Sequence, residues 1–204
     1  MGKISEMLNR LRSATTKEHE KVLGEIISHI MDDKFGEVME GEKFGDIVEL
    51  LIEIPEDIFE KFVAKHKEIL KRKINEAYPS DIGRLYEGLT KPKRKVLSLN
   101  FRESIVQRLS SLNLQDVVRM LYNVVPAARE MVLNQYKQIM MKPDFAEKIL
   151  DAPVEIVSEF LSLAPETIRN TIIKRHGDVF TSDEFVAKLR NTDPEERTKL
   201  YRWL

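Results

Sequence analysis

Lysine and arginine side chains are concentrated in two short runs of this sequence. The first is Lys71-Arg72-Lys73, and the second is Lys91-Pro92-Lys93-Arg94-Lys95. Such a concentration of positive charge favours binding to phosphate groups or to an acidic protein surface. Charge runs also form the solvated outer face of amphipathic helices, and that interpretation stays open at this stage. The residues predicted to contact a partner are Lys91, Lys93, Arg94, Lys95, Lys71, Arg72 and Lys73.

Both runs lie in a basic segment that directly follows an acidic one. Residues 32–60 contain eleven acidic residues and two lysines, whereas residues 61–108 contain thirteen basic residues and five acidic ones. The formal net charge of the whole chain is only −1, so the asymmetry is local. An acidic end that meets the basic middle of another copy would make a heterologous contact, which builds rings or filaments.

No spacing of reactive side chains indicates an active site. The chain has no cysteine, which excludes disulfides, thiolate metal ligands and a cysteine nucleophile. Ser110 and Ser111 lack the Gly-x-Ser-x-Gly turn of hydrolases, and no Gly-x-x-x-x-Gly-Lys loop is present. The histidines are too scattered for a local metal motif: His19, His29, His66 and His176. We therefore expect a protein that is not an enzyme and that uses no cofactor or metal.

The elements that carry these residues are short helices in a repeating order. Asp46, Asp81 and Asp116 each open an apolar helix at intervals of 35 residues, and Glu155 opens a fourth after 39. A period in this range, with two helices per unit, is typical of αα-solenoids. Helices of about three turns are unstable alone in water, so they must pack on neighbours. The predicted fold class is all-α, an armadillo/HEAT-like αα-solenoid with an N-terminal helical arm.

Several helix ends have local signals. Asn113 is a predicted N-cap, and Pro126 is expected to end one helix and open the next. Asp193-Pro194 is a further start signal. Two capping boxes are predicted, one from Thr15 and Glu18 and one from Asn100 and Glu103.

The repeat at residues 109–136 has a characteristic order of apolar residues around one proline. The order is Leu109-Ser-Ser-Leu112-Asn113, then Gln115-Asp116-Val117-Val118, then Met120-Leu121 and Pro126. It resembles the repeat in the middle domain of the flagellar rotor protein FliG, and it is similar to the N-terminal cytosolic domain of MgtE magnesium transporters. The resemblance implies an armadillo-like stack of short helices that serves protein contacts or regulation.

Glycines and charge define the predicted domain organisation. Residues 1–31 are expected to form an N-terminal helical arm, and residues 32–45, with three glycines, a linker. Residues 46–176 are predicted to be the helical-repeat body. Residues 177–204, which begin at Gly177, are predicted to hold C-terminal capping helices.

These patterns predict a non-catalytic scaffold that mediates protein–protein interaction within a larger assembly. The partner is expected to be another protein or a second copy of the chain. The alternative is a nucleic-acid-binding helical protein that uses the basic segment 61–108. No apolar run is long enough to span a membrane, and the composition favours a cytoplasmic location.

Overall fold

Fifteen α-helices and no β-strand make up residues 2–204, the part of the chain that the computed structural model describes. The all-α prediction is therefore confirmed.

The chain divides into two units, one ending at Ile105 and the other comprising Val106–Leu204. The division falls within α8, Lys91–Ser110. The other helices of the first unit are α1 (Lys3–Ser13), α2 (Thr16–Ile30), α3 (Phe35–Gly41), α4 (Phe44–Glu53), α5 (Glu56–Lys65), α6 (Lys67–Glu76) and α7 (Pro79–Gly88). Those of the second are α9 (Leu114–Tyr122), α10 (Pro126–Met140), α11 (Asp144–Asp151), α12 (Val154–Leu163), α13 (Glu166–Phe180), α14 (Asp183–Asn191) and α15 (Pro194–Tyr201).

Local capping signals explain where several helices begin. The side-chain oxygen of Asn113 accepts a hydrogen bond from the Asp116 amide at 2.8 Å, which satisfies a free N–H group in the first turn of α9. Asp193 accepts from the Glu195 amide at 2.8 Å in the same way. The carboxylate of Glu18 accepts from the amide of Thr15 at 3.2 Å, as the predicted capping box requires. These starts, and that of α10 at Pro126, are confirmed.

Short helices one repeat apart pack against each other within each unit. In the first unit α1 packs on α4 and α4 packs on α7; in the second, α9 packs on α12 and α12 packs on α15. Each of these helices has between eight and eleven residues. Such helices need tertiary packing, and the fully buried Ile47, Leu85 and Val117 supply part of it.

Side-chain hydrogen bonds also join residues about one repeat apart. Thr90 donates to Glu56, 34 positions earlier, at 2.6 Å. In the second unit Arg175 donates to the carbonyl oxygen of Met141, also 34 positions earlier, at 3.2 Å. Within each unit, residues that are about one sequence period apart are therefore in contact.

Three stretches differ from the sequence-based expectation. Residues 32–45, expected as a linker, contain α3, whose Phe35 is buried against the rings of Phe62 and His66. The predicted helix start at Asn100 is absent, because α8 continues through it and only bends at the next residue (φ −126°, ψ 15°). The expected boundary at residue 177 lies inside α13, which bends at His176 and continues to Phe180.

Candidate interaction surfaces

The acidic and basic segments of the first unit neutralise each other across neighbouring repeats. Lys65 pairs with Asp33, 32 positions earlier, at 2.5 Å. Arg72 pairs with Glu40, also 32 positions earlier. Some of the acidic and basic residues that make the sequence locally asymmetric in charge therefore pair with each other. Because these pairs are largely exposed, each contributes little to stability.

Glu49 is shared by two arginines from the helices on either side of α4. Arg12 of α1 lies 2.6 Å from Oε2 of Glu49, and Arg84 of α7 binds the other carboxylate oxygen. The hydrogen bond that Arg12 donates to Glu49 is the main reason that the pKa of Arg12 is raised. This chain of charges links α1, α4 and α7 along one side of the unit.

Lys93, one of the predicted contact residues, lies in the interior. Its side chain is only 4% exposed, and its ammonium group donates to the carbonyl oxygens of Leu51 at 3.1 Å and Ile52 at 2.7 Å. Both carbonyls belong to the last turn of α4, where no intrahelical donor exists. Nζ also lies 5.3 Å from the ring centroid of Phe59. Lys93 is therefore a capping residue and is not available to a partner.

The interior position of Lys93 affects its pKa, while its ammonium group stays bound to the two carbonyl oxygens. Burial lowers the pKa of Lys93, and the nearby carboxylates of Glu56 and Glu53 oppose that shift. The amino group remains a hydrogen-bond donor in either form.

Lys73 performs the same task at the end of another helix. Its ammonium group donates to the carbonyl oxygens of Glu40 and Glu42, both at 2.7 Å, at the end of α3. Arg94 is half-buried, and its Nε atom is buried without a hydrogen-bond partner. Of the seven predicted contact residues, the exposed ones are Lys71, Arg72, Lys91 and Lys95.

The exposed lysines of α8 share one face with an exposed leucine. Lys91, Lys95 and Leu99 follow each other at intervals of four residues, which places them on one side of a helix. Leu99 is 76% exposed, and neither lysine belongs to an ion pair among residues 2–204. We call these three residues the α8 stripe. Lys71 and Arg72 lie on a different helix, α6, so the exposed part of the predicted site is divided.

The sequence contained the signal that separates Lys93 from the stripe. Lys93, Leu97 and Phe101 also follow at intervals of four, and all three are buried. Residues two positions away on a helix point about 160° apart. The apolar partners of Lys93 therefore predict its burial and, equally, the exposure of Leu99.

A groove of about 440 Å³ lies between the N-terminal halves of α4 and α7. We call it the α4–α7 groove. Asp46 and Asp81 occupy the first turns of the two helices, and Tyr78, 73% exposed, stands at the rim. The full lining is Glu42, Lys43, Phe44, Gly45, Asp46, Glu49, Lys73, Glu76, Ala77, Tyr78, Asp81 and Arg84.

Asp81 is a largely enclosed carboxylate of the groove. Its side chain is 13% exposed and lies 3.8 Å from the guanidinium of Arg84. Burial raises the pKa of Asp81, Arg84 opposes that shift, and the neighbouring carboxylate of Asp46 adds to it. The groove thus holds negative charge that its own cations compensate incompletely.

The second unit has a groove of about 410 Å³ between the N-terminal ends of α9 and α12. Lys148 lies in its wall and donates to the carbonyl oxygen of Leu112 at 2.5 Å. The remaining polar lining consists mainly of Ser111, Asn113, Gln115 and Asp151. This groove lacks the excess of carboxylates that marks the α4–α7 groove.

The two buried histidines have structural contacts. Nε2 of His66 lies 2.8 Å from the carbonyl oxygen of Ile30, and Nε2 of His176 lies 2.6 Å from that of Met140. Each carbonyl ends a long helix, so the imidazole caps it. Among residues 2–204 no three histidine, aspartate or glutamate side chains are placed to hold a metal ion together.

Comparison with protein families, curated proteins and solved structures finds no match to this chain. Within residues 2–204, no helix combines the length and the apolar character needed to cross a membrane.

Proposed function

We propose that this chain is a non-catalytic αα-solenoid scaffold that binds another protein, as the resemblance to FliG and MgtE repeats implies. The contacts within each unit between residues about one sequence period apart support the repeat architecture. The observation that carries the function is the α8 stripe. It places a leucine that is 76% exposed beside two exposed lysines that form no ion pair among residues 2–204.

The composition of the stripe favours a protein partner over a nucleic acid. Protein interfaces combine an apolar centre with charged residues at the rim. Binding to nucleic acid rests on neutralising many phosphates and, for single strands, on aromatic stacking. The stripe offers two cations, no arginine and no aromatic ring. We therefore keep nucleic-acid binding through residues 61–108 as the alternative.

Cross-linking of the tagged full-length chain in a lysate of its source cells tests the proposal. The variant carries Lys91→Glu, Lys95→Glu and Leu99→Ser. The matched control carries Lys17→Glu and Lys21→Glu, which reverse two exposed lysines spaced four apart on α2. We expect proteins that cross-link to the wild type and to the control, but not to the stripe variant. Equal cross-linking of all three chains would contradict the proposal.

Binding to labelled duplex and single-stranded DNA distinguishes the alternative. A nucleic-acid-binding protein loses affinity steeply between about 50 and about 200 mM salt, because it releases counterions. We expect no binding even in dilute salt. Salt-sensitive binding that the stripe variant loses would favour the alternative.

A further inference from the structure

The α4–α7 groove and the α8 stripe are complementary in charge and in apolar character. We propose that the α4–α7 groove receives the α8 stripe of a second copy of this chain. The inference rests on the proposed function, because it takes the stripe as a protein-binding surface and assigns its partner.

The lining of the groove has an excess of negative charge. Lys73 lines the groove, but its ammonium group is committed to the carbonyl oxygens of Glu40 and Glu42. Arg84 is committed to Glu49 and lies farther, 3.8 Å, from Asp81. Lys43 is the third cation of the lining, which has five carboxylates in all, so lysine ammonium groups from outside would meet carboxylates that remain incompletely compensated.

Favourable interaction with the helix dipole explains the positions of some of these acidic residues, but not of all of them. Asp46 and Asp81 lie in first turns, where negative charge complements the helix dipole. Glu76 is the last residue of α6, where negative charge opposes the dipole. It lines the groove and is exposed, so its position is suited to an external cation and unfavourable for its own helix.

The groove also has apolar residues in its lining. Tyr78 is 73% exposed at the rim, and Ala77 and Phe44 line the groove beside it. Leu99 of the stripe is exposed to the same extent. Exposed apolar side chains at two otherwise charged surfaces are explained together if each covers the other, since their removal from water favours association.

The two surfaces do not cover each other within one copy of the chain. Tyr78 at the rim of the groove is 73% exposed and Leu99 of the stripe is 76% exposed, so each keeps its apolar side chain in solvent. The proposed contact joins different surfaces of two copies, which makes it heterologous and able to extend from copy to copy.

The mass of the purified full-length chain across a concentration series tests the inference. We expect the mass of the wild type to rise with concentration, and to rise less at about 500 mM than at about 50 mM salt, because salt screens exposed charges. The stripe variant K91E/K95E/L99S and the groove variant D46K/E76K should each associate more than roughly tenfold more weakly, because like charges then face each other. The control K17E/K21E should associate like the wild type.

Mixing the two variants gives the decisive measurement. The unaltered stripe of the groove variant can then dock in the unaltered groove of the stripe variant, so the mixture should contain species of at least two copies while each variant alone does not. Circular dichroism checks folding, and D46N/E76Q replaces the groove variant if the lysines unfold it. A monomeric wild type, unimpaired variants or a monomeric mixture would each overturn the inference. If the wild type stays monomeric while the stripe still captures other proteins, the inference fails and the proposed function stands.

Discussion

The ammonium group of Lys93 lies 2.7 Å from the carbonyl oxygen of Ile52, 41 positions earlier in the chain. Together with its hydrogen bond to the Leu51 carbonyl, this contact closes the C-terminal end of α4 from the next repeat. A lysine in the densest basic run of the sequence thus belongs to the interior of the first unit. Its role is to cap α4, and it is almost wholly excluded from solvent.

Replacing Lys93 by methionine should destabilise the first unit. Methionine keeps the aliphatic stem but leaves the two carbonyls without a donor, which costs about 1–3 kcal/mol. Urea unfolding followed by circular dichroism measures the change. Lys95→Met is the matched control, since Lys95 is exposed on the other side of the same helix and its replacement should change stability by less than about 0.5 kcal/mol. Equal effects of the two substitutions would show that Lys93 is not a cap.

The all-α fold class and four of the five predicted helix starts were predictable from the sequence because their causes are local. The N-cap hydrogen bond of Asn113 joins residues three positions apart, so a short window of sequence contains it. The roles of Lys73 and Lys93 depend on carbonyls that lie one repeat earlier. Sequence spacing predicts repeats, but it does not predict which of their atoms meet.

Residues 32–45 show how packing overrides local preference. Gly36 and Gly41 disfavour a helix. The stretch nevertheless forms α3, because Phe35 and Met39 are 1% and 0% exposed. Burial of two large apolar side chains contributes about 3–6 kcal/mol, which exceeds the cost of about 1 kcal/mol for each glycine. The α4–α7 groove could likewise not be predicted from the sequence, since its carboxylates come from α4, α6, α7 and the residue after α3.

His66 should make the protein less stable in mild acid. Burial lowers the pKa of His66, the hydrogen bond to Ile30 partly opposes this, and Lys65 lowers it further while Asp33 raises it. The unfolded chain therefore binds a proton near its ordinary pKa of 6.5, before the folded chain does. The contribution of neutral His66 to the free energy of unfolding is fully present above pH 6.5. It is lost as the pH falls through the lower pKa of His66 in the folded chain.

Unfolding free energies of wild type and His66→Phe between pH 7.5 and about pH 5 measure this effect. Phenylalanine is the residue at the corresponding bend of α8, Phe101, so the substitution suits the local backbone. It should reduce the loss of stability on acidification, even though it removes the cap on Ile30. His19→Gln, at an exposed position, serves as the control and should retain the wild-type slope. A slope in His66→Phe as steep as that of the wild type would rule out His66 as its source.

Two glycines should respond to alanine in opposite directions. Gly24 lies within α2 with no neighbouring atom inside 4 Å of an added Cβ, so Gly24→Ala should stabilise the chain by about 0.5–1 kcal/mol through helix propensity. A Cβ at Gly88 would lie closest to Cδ1 of Ile52 on α4, and 2.6 Å from Cγ1 of the same side chain. Gly88→Ala should therefore destabilise by about 1 kcal/mol or more.

Thermal and urea unfolding of the two glycine variants provide the comparison. No glycine among residues 2–204 has a positive φ, so neither substitution strains the backbone and the difference isolates the contact with Ile52. The double variant Gly88→Ala with Ile52→Val, which shortens the contacting side chain, should recover part of the loss. Stabilisation by Gly88→Ala alone would show that the repeats are not closely packed at this point.

Tyr136 should tolerate the loss of its hydroxyl group. The side chain is 0% exposed, its ring packs edge-on against Phe145 at 5.9 Å between centroids, and its hydroxyl oxygen is buried without a hydrogen-bond partner. Burial raises the pKa of Tyr136 well above its ordinary value, so the phenol stays neutral. A buried polar group that lacks a partner costs about 1–3 kcal/mol.

Tyr136→Phe should therefore leave stability unchanged or raise it by about 1 kcal/mol, whereas Tyr136→Ala should lower it by about 3–5 kcal/mol through loss of packing. Urea unfolding of the two variants separates the hydroxyl from the ring. The ring contact with Phe145 can be followed independently in the near-ultraviolet dichroism, which should survive in the phenylalanine variant. A destabilisation of more than about 1 kcal/mol by Tyr136→Phe would mean that the hydroxyl group has a hydrogen-bond partner after all.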